Sequence, residues 1–320
     1  MNYKLKKISG DASFREFYRL KKNNKSSVIA YAKREKYKNL IIYIIVNNLL
    51  NDNKILAPKL IKNYYKESMI EITDFGDKSF FQFIKKKKNK LADYKKLIDI
   101  ILRLQKIKIK KSYNFGKNKI KFKKYSISNL HKESDLFFDW YLKYLLKDKN
   151  HEKIKKNLKK ELNSIFKKIY FKNRYFVHRD FHVSNIMIYK KKLCLIDSQD
   201  AIIGNPLYDL ASLIDDVRIK LPKNLQNNLF KYYSLKSKFK KKDHKHLQND
   251  FDILSVQRNL KILGIFTRLY KRDNKPNYLK YLTYTWTLIE RRMKNPIFDK
   301  LNKLMRENLP LKKLKKIKLI

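Results

Sequence analysis

The sequence predicts an α+β protein: a small, mainly antiparallel sheet carrying one helix, followed by a larger and mostly helical body. Three observations predict it. Short β-branched and aromatic runs, broken by turn signals, fill residues 1–73. From Gly76 onward the chain changes to amphipathic stretches with helical spacing. No internal repeat and no low-complexity linker separates the two parts, so the expected division is an N-terminal lobe at 1–74, a hinge near 73–77 and a C-terminal lobe at 75–320.

Tyr3–Ile8, Phe14–Leu20 and Ser27–Ala32 read as strands, with Ser9-Gly10-Asp11 as the first turn. Residues 36–50 carry apolar side chains on most faces, which predicts a buried helix. Ala57-Pro58 interrupts, and Lys59–Tyr65 and Met69–Thr73 are two further strand-like runs. Residues 78–112 and 129–170 read as helical, with 113–128 a basic, irregular connection. A compact loop and a hairpin follow at 175–197, then helices to the end, with Asp209 as N-cap of a helix at Leu210–Ile219.

Composition removes several function classes. Hydrophobic residues make up 43% and aromatics 13%, which excludes a disordered basic tail. Cys194 is the single cysteine, so no intramolecular disulfide forms. The most apolar window, Leu40–Val46, is too short to span a bilayer, and no apolar run follows the basic N-terminus. A cytoplasmic location with no membrane partner is expected. The net charge of +50 invites a nucleic-acid reading, yet the Lys runs at 85–90, 106–111, 117–124, 153–160 and 238–245 are scattered. Few Arg and no regular aromatic interleaving make a poor base-reading surface, so the charge reads as a solvated face and nucleic acid is not the expected partner.

The chemistry concentrates at Val177-His178-Arg179-Asp180-Phe181-His182-Val183-Ser184-Asn185-Ile186. Asp180 and Asn185 lie five apart on a loop that runs into an apolar strand; Lys190–Lys192 turn the chain, and the return strand ends on Asp197. A hairpin brings Asn185 and Asp197 together, with Asp180 just before them. Magnesium prefers such hard oxygen ligands. Phosphoryl transfer asks for a carboxylate that orients and deprotonates the attacking hydroxyl, and for metal ligands that neutralise phosphate charge. Asp180 suits the first role, Asn185 and Asp197 the second, matching H-R-D-x-x-x-x-N followed by a metal-binding Asp. A zinc reading of His178 and His182 lacks a helix, a third ligand and a general-base Glu. His178 reads as a packed residue bracing the loop, while His182 is a candidate substrate contact.

VHRDFHVSNIM and LIDSQDAIIGNPLYDLASLIDD resemble the aminoglycoside phosphotransferase superfamily, with its two-lobed protein-kinase-like fold. Within it the chain is most similar to the bacterial anomeric sugar kinases that phosphorylate N-acetylmuramate and N-acetylglucosamine in cell-wall recycling. SGDASFREFYRL, EITDFGD, ESDLFFDWYL and VQRNLKILGIFTRLYKRD carry that narrower match, in order along nearly the whole chain. The resemblance implies ATP and Mg2+ as cofactors and a small amino sugar as acceptor. It makes Asp180 the base and Asn185 and Asp197 the metal ligands. It places Ser9, Gly10, Ser13 and Arg15 in the loop over the ATP phosphates, and Thr73 in the Ile72–Asp74 hinge beside adenine. It gives Asp209 a bracing role and sets Glu133, Asp139, Trp140, Gln257, Arg258 and Lys261 in segments walling the sugar pocket.

The chain departs from the wider kinase pattern in four ways. It has no G-x-G-x-x-G, leaving Gly10 alone to let the first loop approach phosphate. The third strand has no central lysine, reading Ile29-Ala30-Tyr31-Ala32 before Lys33. Helix 37–50 has no glutamate, so Lys33 with Glu35 is the only substitute pair by position. Ser198 follows the metal-binding Asp where Phe is usual. Other acceptors remain open, an aminoglycoside or an amino alcohol such as choline, although 79 Lys+Arg against 29 Asp+Glu disfavours a polycationic substrate. A kinase-fold binding protein without turnover is the alternative outside enzymes.

Overall fold

The computed structural model describes residues 4–8, 15–23, 25–32, 38–146 and 151–309. The candidates Ser9, Gly10 and Ser13, and the pair Lys33 and Glu35, lie outside the described residues. The chain divides into two compact units: Met1–Lys123 with Tyr175–Ile202, and Lys124–Arg174 with Ile203–Ile320.

The first unit opens with strands β1 (Lys4–Ile8), β2 (Glu16–Lys22) and β3 (Lys25–Tyr31), helix α1 (Lys38–Asp52), then β4 (Leu60–Tyr64) and β5 (Met69–Thr73). They form one five-stranded sheet in the order β1-β2-β3-β5-β4, with every neighbouring pair antiparallel. Each strand-like run of the sequence thus becomes a strand, displaced by up to two residues. Helix α1 is buried along most of its length because apolar residues fill it from Leu40 to Leu50. Its Leu40, Tyr43 and Ile44 pack with Ala30, Ala32, Ile70 and Ile72.

Past the hinge, the expected helix 78–112 is two helices, α2 (Phe80–Lys85) and α3 (Leu91–Leu104). The like-charged run Lys85–Lys88 separates them. Ser79 caps α2, its hydroxyl accepting from the Gln82 N–H at 3.2 Å. The irregular connection expected at 113–128 instead contains a hairpin, β6 (Tyr113–Phe115) with β7 (Asn118–Ile120). Tyr113, Phe115, Ile120 and Phe122 alternate with polar residues there, a strand pattern that the lysines obscure. Strand β8 (Tyr175–Val177) packs on α3 and leads into the loop carrying Asp180. A 3₁₀ turn (Val183–Asn185) follows, then β9 (Ile186–Tyr189) and β10 (Lys192–Leu195).

The second unit is helical. Helix α4 (Ile127–Leu136) begins with a reciprocal capping box between Ser126 and Asn129. It runs into a π-helical segment, Phe137–Leu142, and the single-turn α5 (Lys143–Leu145). The predicted continuous helix 129–170 is therefore interrupted, at a run of bulky aromatics where Phe137 stacks on Tyr141 with ring centroids 5.6 Å apart. Helices α6 (His151–Phe166), α7 (Leu207–Ile214), α8 (Lys223–Lys236), α9 (His244–Lys271), α10 (Leu282–Arg292) and α11 (Asp299–Asn308) complete the unit. Helix α9 packs against α4, the π-helical segment, α7 and α10. Its Gly264 lies against the end of α4, where an added Cβ would stand 2.2 Å from the Leu136 carbonyl carbon. No helix among the described residues is long and apolar enough to cross a membrane.

Asp209 does not cap its helix. Helix α7 starts at Leu207, placing Asp209 in its first turn, and ends at Ile214, short of the expected Ile219. The Asn205 side chain takes the capping role, accepting from the Leu207 N–H at 2.9 Å. Pro206 explains the earlier start, since proline suits the opening of a helix.

Candidate active site

The hairpin β9–β10 is the frame of the site. Lys190 and Lys191 form its turn with φ of 47° and 62°, and Ile186 pairs with Leu195 at the other end. The Ile196 N–H donates to the Asn185 carbonyl at 3.1 Å, so Asn185 and Asp197 stand at the same open end. Two attachments hold the hairpin. The Leu195 N–H donates to the Leu56 carbonyl at 2.8 Å, and the Ile188 N–H donates to the Lys78 carbonyl at 2.8 Å.

The loop before the hairpin is tightly wound. The His182 N–H donates to the Asp180 carbonyl at 3.0 Å, and the Asn185 N–H to the His182 carbonyl at 2.9 Å. The Asn185 amide nitrogen donates to the Asp180 carbonyl at 3.1 Å, which orients its oxygen as the available ligand atom. Arg179 at φ 76° and Asp197 at φ 63° adopt left-handed conformations rare outside glycine, one on each side of this region. His178 is fully buried with its ring edge against Phe181. Burial drives its pKa down to about 4, against the opposing pull of Asp180 and a backbone hydrogen bond to Ile196, so it stays neutral. His182 is buried as well, its Nε2 3.3 Å from the Asn185 amide.

Asp197 is buried, and burial pushes its carboxyl above the ordinary range. The Gln199 amide, which donates to it at 2.8 Å, opposes that shift; the charges of Asp180 and Asp200 reinforce it, and Arg15 counters it. Negative charge thus accumulates where an oxygen-loving cation would relieve it, so the donor set fits magnesium. Among the described residues no three acidic, His or Cys groups stand close enough to hold a metal alone. Such an ion would draw further ligands from water and phosphate, as magnesium commonly does. Ser198 is fully buried and donates to the Asn47 side-chain oxygen of α1 at 2.5 Å.

At the hinge, Thr73 is engaged with Lys59: its hydroxyl accepts from the Lys59 N–H at 3.2 Å and donates to the Lys59 carbonyl at 3.3 Å. Asp74 next to it is held by Arg19, by the Ser26 hydroxyl and by the Gly76 N–H at 2.8 Å. Burial would raise the Asp74 pKa, but these partners outweigh it and hold the carboxyl below the usual range. Arg15 precedes β2 and is only 8% exposed.

The remaining candidates belong to the second unit. Glu133 is buried and accepts from the Tyr125 hydroxyl at 2.7 Å and the Gln257 amide at 3.2 Å, and pairs with Lys261 at 3.1 Å. Gln257 and Lys261 are one helical turn apart on α9, which explains how both reach one carboxylate. Arg258, between them in sequence, is buried at 6% exposure. Asp139 stands apart from this cluster, half exposed and paired with Lys155 at 2.7 Å. Trp140 is partly buried. Sequence reasoning missed the Arg19–Asp74 clamp and the Ser198–Asn47 bond, because pairs so distant in the chain leave no local pattern. It also missed Asp215, whose two oxygens accept from Arg292 at 2.8 Å inside the helical unit. The acidic pair Asp215-Asp216 in an apolar stretch was the available signal.

Comparison with known proteins agrees with this geometry. An N-acetylmuramate/N-acetylglucosamine kinase of Pseudomonas aeruginosa is 25% identical over 292 residues, covering 89% of this chain and 83% of the relative. The enzyme of that name from Neisseria meningitidis is 25% identical over 285 residues, covering 86% and 83%. Among solved structures, a choline kinase from Cryptosporidium parvum superposes with a TM-score of 0.62 at 13% identity, over 95% of this chain and 93% of that one. An ADP-bound aminoglycoside phosphotransferase superposes with a TM-score of 0.59 at 15% identity, over 90% and 92%. These likenesses establish the two-lobed kinase-like fold. Residues 4–243 match the phosphotransferase enzyme family, a span that holds the sheet, the hinge and the Asp180–Asp197 hairpin, and the chain is a phosphotransferase belonging to that family.

Proposed function

We propose that this phosphotransferase is an ATP- and magnesium-dependent sugar kinase that transfers the γ-phosphate to the anomeric hydroxyl of N-acetylmuramate or N-acetylglucosamine. The observation that carries the reading is the meeting of Asp180, Asn185 and Asp197 at one end of a braced hairpin. The acceptor rests on the relatives, four of which bear the name N-acetylmuramate/N-acetylglucosamine kinase.

In this reading Asp180 orients the acceptor hydroxyl and takes its proton as the oxygen bonds to the γ-phosphorus, and ADP leaves. Asn185 and Asp197 hold the magnesium, which when bound neutralises phosphate charge. Ser9, Gly10, Ser13 and Arg15 bind the phosphates, and the hinge around Thr73 lines the base. His182, Glu133, Asp139 and Arg258 are the acceptor-side candidates. Among them Glu133 serves its neighbours as a brace, since its oxygens already accept from Tyr125, Gln257 and Lys261. Arg258 is the more available group for an acidic sugar.

The test is incubation of the purified protein with Mg-ATP and each amino sugar, with sugar 1-phosphate read by phosphorus NMR. Formation of the 1-phosphate is expected. Intact ATP binding without turnover on any amino sugar would overturn the acceptor, and an aminoglycoside and choline serve as the alternative acceptors in the same assay.

A further inference from the structure

Kinases of this general design hold the nucleotide's α- and β-phosphates with a lysine on the third strand. Here β3 ends without one. Strand alternation gives its inward row as Val28, Ala30 and Ala32, since Ala30 and Ala32 pack with α1 and Val28 joins the same cluster. The position where a cation would face inward is Ala32, which is fully buried.

The adjacent strand carries one instead. In the β2–β3 register Phe17 pairs with Ala30 and Arg19 with Val28, so these β2 residues share the inward face. Arg15 is two residues before Phe17, continues the same row and comes level with Ala32, whose methyl leaves it space. The burial agrees: Arg15 is 8% exposed, whereas the β2 residues from Glu16 to Leu20 are all less buried. Arg19, the other inward cation on β2, is committed to Asp74 and Asp77. Arg15 also acts on the site described above. Its charge counters the upward shift of Asp197, and it counters likewise the shift of Tyr43 on α1, which burial pushes up to about 12.

From this placement we infer that Arg15 is the phosphate anchor of the nucleotide site, a guanidinium on β2 standing in for the absent lysine of β3. The inference rests on the kinase reading and deepens it by naming the group that grips the phosphates. A guanidinium presents paired donors that match phosphate oxygens. The ligand class is a nucleoside 5′-diphosphate or triphosphate, and the contact is to the phosphates rather than to the base. Arg15 directly follows the 9–14 segment that the resemblance places over those phosphates, so loop and anchor are continuous in the chain.

The test is displacement of a fluorescent nucleotide by ATP, ADP and adenosine, with and without magnesium, on the wild-type protein and on Arg15→Ala, Arg15→Gln and Lys33→Ala. Arg15→Ala is expected to lose at least about tenfold in affinity for ATP and ADP, worth about 1.4 kcal/mol. Adenosine should bind unchanged, the ADP loss should persist in EDTA, and Lys33→Ala should match wild type. Arg15→Gln keeps length and burial, and is read in place of Ala if the alanine variant melts early. Arg15 is not the anchor if ADP affinity stays within twofold of wild type. Nor is it the anchor if adenosine weakens equally, if the loss disappears in EDTA so that it runs through Asp197, or if Lys33→Ala carries the loss. A wild-type protein that binds none of the three overturns the kinase reading along with this one, whereas the other outcomes leave that reading standing.

Discussion

Arg19 grips Asp74 with two of its guanidinium nitrogens, at 2.6 Å and 3.1 Å, and reaches Asp77 with the third at 2.8 Å. One β2 side chain thereby ties the sheet to both ends of the hinge. The Arg19 and Asp74 side chains are largely buried, 13% and 6% exposed, while Asp77 is open to solvent.

Arg19→Ala should therefore lower stability by about 1–3 kcal/mol, the range between exposed and buried pairs, because it leaves Asp74 underpaired. Arg19→Lys should recover little, since an ammonium lacks the fork geometry. The sign with pH follows from the lowered Asp74 pKa: the stabilisation is complete above the unfolded value of 3.8 and is lost as pH falls below it. Urea unfolding at pH 7 and at pH 3 checks both points. A wild-type advantage that persists undiminished at pH 3 would contradict the assignment.

Ser198 occupies the position after the metal-binding Asp where an apolar ring is usual, and it connects that segment to α1 through Asn47. Ser198→Ala should cost about 1–3 kcal/mol by stranding a buried acceptor, and Asn47→Leu a comparable amount. Made together they should cost far less than the sum, giving a coupling of roughly 1 kcal/mol or more in a double-mutant cycle. Additive losses would mean that the bond contributes nothing specific.

The parts of this protein legible in its sequence are those written locally. Every strand of the sheet could be read from its run of apolar residues, and the Asp180–Asn185–Asp197 spacing forecast a hairpin with its polar groups at one end. The hairpin Tyr113–Ile120 was concealed because the residues alternating with its aromatics are mostly lysine and asparagine, which pass for a solvated loop. Helix α7 was set too late because Asp209 looks like a cap, whereas Asn205 performs that task from two residues before the helix. Arg15 was placed in a loop by resemblance, and its inward position follows only once the register of β2 against β3 is known.

Asp180→Asn should lower kcat by several orders of magnitude while leaving nucleotide affinity and melting temperature close to wild type. The loop geometry depends on the Asp180 carbonyl, which accepts from Asn185 and His182, and not on its carboxylate, so the variant should keep the fold. A variant with wild-type kcat would remove Asp180 from the role of base.

His178 is neutral and buried, with a pKa near 4 in place of 6.5. Its folded pKa lies below the unfolded one, so the unfolded chain gains a proton first as pH falls and stability drops between pH 6.5 and pH 4. By pH 5 the loss attributable to this residue should be about 2 kcal/mol. His178→Gln removes the titration, so the difference between wild type and variant should shrink by that amount from pH 7.5 to pH 5. Parallel stability curves across this range would show that His178 titrates normally.

Gly264 is where α9 comes closest to its neighbours. An added Cβ would meet backbone, lying 2.2 Å from the Leu136 carbonyl oxygen and 2.6 Å from the Phe137 nitrogen. Backbone cannot rotate aside as a side chain can, so α9 and the end of α4 would have to separate. Alanine raises intrinsic helix stability by about 1 kcal/mol over glycine. Overpacking costs typically about 1–3 kcal/mol and sometimes more, and the closeness of this contact favours the upper end. Gly264→Ala is thus expected to destabilise on balance and to lower the melting temperature by several degrees. The same separation would carry Gln257 and Lys261 away from Glu133, so the variant should also respond less to a second change, Glu133→Gln, than wild type does. A stabilised Gly264→Ala would show that propensity outweighs contact and that the two helices have room to part.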